Sequence, residues 1–96
     1  MRLLAKEKEA ITAAIANYDK NAAVFLFGSR TDDTKKGGDI DILIISDILD
    51  RHTLFFIEED IFKKIEEQKI DFVLCRSDLN NRFAKMILKQ GVTKLL

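Results

Sequence analysis

Two short apolar runs and the loop between them constrain this chain more than any other feature. Val24 to Phe27 breaks at Gly28-Ser29, and a second run begins at Asp39-Ile40-Asp41 and ends at Ile45. The loop between them is too short for a crossover, so the runs can pair only as antiparallel strands of a hairpin. Residues two apart on a strand point to the same face, which sets Asp39 and Asp41 side by side at the hairpin mouth. Gly28-Ser29 forms the opposite corner.

Two adjacent carboxylates repel each other, and their desolvation is costly unless a cation sits between them. A hard divalent ion such as Mg2+ suits that position, because it takes oxygen ligands and keeps water and substrate phosphates in its shell. A Gly-Ser turn nearby offers backbone N–H groups and a hydroxyl to those phosphates. The alternative is a pair of ordinary turn aspartates. Asp41, however, stands between Ile40 and Ile42 inside an apolar run, where a turn residue is out of place. Asp71 likewise interrupts an apolar run, Ile70-Asp71-Phe72-Val73-Leu74, as a third carboxylate or as a strand-end cap.

Phe27-Gly28-Ser29-Arg30 and Gly38-Asp39-Ile40-Asp41-Ile42-Leu43 resemble the signature of the nucleotidyltransferase superfamily that includes DNA polymerase beta. The pattern is closest to the minimal nucleotidyltransferases, the MNT proteins that partner HEPN-domain proteins, and the resemblance covers essentially the whole chain. It implies one nucleotidyltransferase domain over residues 1–96, an α/β fold of the polymerase-beta palm type. That fold is a three- to four-stranded mixed sheet with helices mainly on one face and the carboxylates and Gly-Ser turn on the open face. It further implies that Asp39, Asp41 and Asp71 hold Mg2+, as two ions, with Asp71 helping to activate the attacking hydroxyl. Gly28 and Ser29 would hold the triphosphate, and Arg30 would contact phosphates unless it pairs with Asp32 or Asp33. The implied reaction moves AMP from ATP to an acceptor hydroxyl, in the cytoplasm. Larger relatives add domains that choose base and acceptor, so a HEPN-type toxin partner is expected to supply the acceptor, and a homo- or hetero-oligomer is expected. Two other readings stay open: a non-catalytic antitoxin that neutralises its partner by binding alone, and transfer to a small molecule.

Composition narrows the classes. Ninety-six residues suffice for a single modest core, and 47% hydrophobic with 33% charged residues fits a globular chain. Sixteen basic residues balance sixteen acidic ones, so stand-alone nucleic-acid binding is not expected. No apolar run is long enough to span a membrane, and charges come too early for a signal peptide. A single cysteine, Cys75, fits a reducing compartment and reads as a small core residue.

Periodicity fills in the rest. Arg2 to Tyr18 reads as a helix with Leu4, Ile11, Ile15 and Tyr18 on one stripe, followed by a strand from Ala22 to Phe27. A second strand covers Asp39 to Ser46, and a second helix, His52 to Gln68, carries Leu54, Ile57, Ile61 and Ile65. A third strand, Lys69 to Cys75, is expected parallel to the second. The last helix is predicted over Asp78 to Gln90, capped by Ser77 or Asp78 and closed by Gly91, with Leu79, Phe83, Met86 and Ile87 as its core stripe. Val92 to Leu96 is expected to pack on the body or add an edge segment. His52 reads as a surface residue, Lys35 and Lys36 as a solvated loop tip, and Arg82, Lys85 and Lys89 as a solvated or contacting face. Phe56 and Leu88 point away from their helices' core stripes and suggest a partner surface.

Overall fold

A computed structural model of the chain describes residues 4–28 and 40–96. The elements follow in the order α1 (Ala5–Tyr18), β1 (Ala23–Phe27), β2 (Ile40–Ile45), α2 (Arg51–Phe62), β3 (Ile70–Cys75), α3 (Arg82–Gln90) and β4 (Thr93–Lys94). The four strands form one mixed sheet in the order β3-β2-β1-β4. β1 runs antiparallel to β2 and to β4, and β2 runs parallel to β3, as the loop lengths require. This is a small α/β fold with a mixed four-stranded sheet, as the sequence implied.

Alternation along the strands divides the core in two. Val24, Leu26, Ile40, Ile42, Ile44 and Ile70 face α1 and α2, where they meet Ile11, Ile15, Ile57 and Ile61. Leu43 and Cys75 face the other way and pack against Ala84 and Ile87 of α3, with Phe25, Phe27, Ile45 and Val73 beside them. Both faces of the central strands are thus covered, which explains why they read as continuous apolar runs. Among the described residues two helices lie on one face and one on the other. Cys75 is buried, and that burial pushes its thiol pKa up, in keeping with a core role.

Helix ends follow local chemistry. The Leu4 N–H donates to the Glu7 carboxylate at 2.9 Å at the start of α1. At the start of α2, Asp50 accepts from the N–H and the hydroxyl of Thr53, both at 2.8 Å. The predicted run to Gln68 is too long: α2 ends at Phe62. Ile65 is still buried, and Gln68 donates to the buried Glu7 carboxylate at 2.7 Å, so the segment packs on the core without being helical.

The start of α3 also differs from expectation. Asp78 accepts from the Asn80 N–H at 3.0 Å, and Leu79 adopts a left-handed conformation with φ 55°. Neither geometry belongs to a helix, so the cap moves to Asn81, which accepts from Phe83 and Ala84. Its buried stripe is Ala84 and Ile87 with Leu88 beside them, and the predicted core residues Phe83 and Met86 are exposed. Leu88, expected to face outward, packs against the second cluster. Gly91 closes the helix with φ 116°, as predicted. The tail adds the edge strand β4, extended where the Leu95 N–H donates to the Val24 carbonyl at 2.7 Å and Val24 N–H to the Leu96 carbonyl at 3.0 Å. Among the described residues no helix is long and apolar enough to cross a membrane.

Candidate active site

β1 ends where β2 begins, with Phe27 opposite Asp41. On the other side of β2, Asp41 stands opposite Asp71 in the parallel β2–β3 ladder. By strand alternation both carboxylates belong to the α3 face, in line with Leu43 and Val73 but nearer the strand starts. Both are half-buried. The start of β2 is anchored by the Ile40 N–H, which donates to the Lys69 carbonyl at 3.1 Å and so holds the two strand ends level.

Gly28 follows Phe27 directly and has φ 75°. A Cβ there would come within 3.1 Å of the Asp41 carboxyl carbon. The turn therefore requires glycine for two reasons, its left-handed backbone and the close approach of that backbone to the Asp41 side chain. The two carboxylates and the glycine turn come together at one corner of the sheet.

Ser29, Arg30 and Asp39 lie outside the described residues, as do Lys35 and Lys36. Among the described residues no group of three or more histidine, cysteine or carboxylate side chains forms a metal cluster. The described part of the expected set is the pair Asp41–Asp71, and its chemistry suits a hard cation. Two carboxylates in facing register supply the oxygen atoms that such an ion takes. Phe27, the first residue of the signature string, shares the carboxylate face through its register with Asp41. The alternation Phe25, Phe27 against Asp41, Leu43 carries that placement in the sequence.

A second polar cluster sits at the opposite end of β2. The buried Asp19 carboxylate accepts from the Ser46 hydroxyl at 2.6 Å and from the Asn21 N–H at 2.9 Å. Ser46 in turn accepts from the N–H groups of Ile48 and Leu49. Asp47 accepts from the Ser77 hydroxyl at 2.7 Å and the Ser77 N–H at 2.9 Å, and these bonds hold its carboxyl below the usual range. His52 is exposed and stacks edge-on against Phe56 at 5.2 Å, away from the carboxylates in sequence and in fold. These groups are satisfied by one another and tie α1, β2 and the β3–α3 loop together.

Residues 9–93 match the family model described as polymerase beta, nucleotidyltransferase, and the chain belongs to that family. No curated protein matches the chain. Membership makes it a nucleotidyltransferase domain whose family is typically metal-dependent, with its activity in nucleotidyl transfer.

Proposed function

We propose that this chain transfers AMP from ATP to a hydroxyl, a tyrosine, of a HEPN-type toxin protein and so inactivates it, as the antitoxin of the pair. The observation that carries the reading is the facing pair Asp41–Asp71 beside the Gly28 turn, in a chain of the nucleotidyltransferase family. A chain that merely covered its partner could shed such a pair, because clustered carboxylates carry a repulsion and desolvation cost.

Asp39, Asp41 and Asp71 would hold Mg2+, as two ions, which when bound neutralise charge on the transferring and departing phosphates. Gly28 and Ser29 bind the triphosphate, through backbone N–H groups and a hydroxyl, and Arg30 contacts its phosphates. Asp71 accepts the proton of the acceptor hydroxyl. The hydroxyl oxygen bonds to the α-phosphorus, the bond from that phosphorus to the bridging oxygen of the β-phosphate breaks, and pyrophosphate leaves.

The test incubates the chain, ATP and Mg2+ with a co-encoded HEPN protein and weighs the partner by mass spectrometry. The expected result is a gain of one or more AMP units, lost when all three aspartates are replaced. An unchanged partner mass, with neutralisation intact in the triple variant, assigns the chain to the occlusion reading instead.

A further inference from the structure

The outward faces of α2 and α3 are complementary. On α2, Phe55, Glu58 and Glu59 recur at helical spacing on one stripe, which ends at Phe62, half-buried against the core. Phe55 is 58% exposed. Glu58, Glu59, Phe62, Lys63 and Glu67 line a groove of about 450 Å³ along this stripe. Among the described residues its one lining cation, Lys63, already faces the Asp60 carboxylate at 3.5 Å, so the groove presents net negative charge. α3 has no acidic residue between Arg82 and Gln90. Its exposed side carries Arg82, Lys85 and Lys89 next to Phe83 and Met86, which are 49% and 46% exposed.

From this complementarity we infer that the chain self-associates head to tail, the α3 face of one copy seated in the α2 groove of the next. Phe83 and Met86 meet Phe55, and the three cations meet Glu58, Glu59 and Glu67. Apolar burial supplies the attraction, while opposite charges fix register and partner. α2 packs on one face of the sheet and α3 on the other, so the two stripes of one copy point away from each other. Two copies cannot satisfy both stripes at once. The contact is heterologous, and it propagates into a ring or an open chain. The inference does not depend on the transfer reaction, and its test uses neither nucleotide nor metal.

The test is sedimentation velocity on the full chain over an about hundredfold concentration range, where mass action shifts any self-association. Average mass is expected to rise past that of a dimer, and to fall back when salt is raised from about 50 to about 500 mM, which shortens electrostatic reach severalfold. Two charge reversals, Glu58→Lys with Glu59→Lys and Lys85→Glu with Lys89→Glu, are each expected to weaken association by about tenfold or more, since like charges then meet. Mixing the two variants restores assembly, because every reversed stripe then finds an opposite one. A structural defect cannot be rescued in this way. If a reversed variant fails to fold, Phe55→Ser and Phe83→Ser replace it, each expected to lower the average mass. A wild-type chain that stays monomeric, assembly that stops at two copies, or a mixture that stays apart overturns the inference.

Discussion

Asp41 and Asp71 stand opposite each other across the parallel β2–β3 pair, one register position from the point where the Ile40 N–H meets the Lys69 carbonyl. Like charges directly opposite on neighbouring strands destabilise a sheet. The fold nonetheless sets both on the same face, beside a turn that only glycine can make without strain. The proposed reaction gives that corner a use, since facing carboxylates beside a close-approaching backbone suit a cation and a phosphate.

The first prediction concerns that pair. Asp41→Asn relieves the repulsion while keeping the side chain's shape, so stability is expected to hold or to rise by about 0.2–1 kcal/mol, the scale of cross-strand pairs. Mg2+-dependent binding of a nucleoside triphosphate is expected to disappear, as it is for Asp39→Asn. Thermal melts and calorimetric titration read the two effects separately. Undiminished metal–nucleotide binding by the double variant would remove the basis for the metal assignment.

The second concerns the turn. Gly28→Ala forces a side chain into a left-handed backbone and against the Asp41 carboxyl group. The conformational cost is about 1–2 kcal/mol, and the added methyl displaces Asp41. Gly28→Val is expected to cost more still and to harm nucleotide affinity more than Ser29→Ala does. Loss of a single hydrogen bond to a charged group costs only about 1.5–3 kcal/mol. Denaturant unfolding and nucleotide titration of the three variants give the order.

Much of this was legible in the sequence because the hairpin is locally determined. A short loop between apolar runs dictates antiparallel pairing, and carboxylates inside apolar runs mark Asp41 and Asp71 before any contact is known. The errors lie where two local preferences compete. Asp78 looks like a helix cap, but its carboxylate takes the Asn80 N–H in a turn instead, and Asn81 wins the two N–H groups at the start of α3. In the shorter helix that begins at Arg82 instead of Asp78, Phe83 and Met86 lie on the solvent side, where an apolar stripe had been expected. The end of α2 failed for another reason. Ile65 keeps the helical spacing, yet tertiary packing and the Gln68–Glu7 bond hold that segment in a different backbone. The facing of Asp41 and Asp71 required the strand register, which sequence alone does not fix.

The third prediction tests the knot at the far end of β2. Ser46 donates to buried Asp19 and accepts two backbone N–H groups, from Ile48 and Leu49. Ser46→Ala leaves a buried carboxylate short of a donor and is expected to cost about 1.5–3 kcal/mol. Chemical unfolding measures it. Nucleotide binding at the opposite strand ends is expected to be unaffected in the folded protein.

The fourth concerns acid stability. The Ser77 hydroxyl and N–H hold the Asp47 carboxyl below its ordinary value, with Arg76 adding to the effect and partial desolvation opposing it. The unfolded chain therefore binds a proton at a higher pH than the folded one. The stabilisation is present above the unfolded carboxylate value and is lost as pH falls through the lowered folded value. Asp47→Asn is expected to flatten the acid side of the stability–pH profile while leaving the alkaline side unchanged. Melting temperatures from neutral to acid pH read that slope, and an unaltered slope would leave the Ser77 bonds without energetic weight.

The last prediction separates binding from chemistry within the proposed reaction. Asp71 lies on β3, across the ladder from Asp41, so it approaches the reacting centre from a different strand. If Asp39 and Asp41 chiefly hold metal and nucleotide while Asp71 takes the acceptor proton, their alanine variants must fail differently. Asp71→Ala is expected to keep more nucleotide affinity than Asp39→Ala or Asp41→Ala. Its transfer rate falls by about a hundred- to ten-thousandfold, the usual contribution of a positioned base. The rate loss should shrink at higher pH, where the acceptor hydroxyl ionises without help. Parallel measurement of nucleotide affinity and of AMP incorporation against pH distinguishes the roles. Equal loss of affinity in all three variants would confine Asp71 to holding metal and leave the acceptor proton to another group.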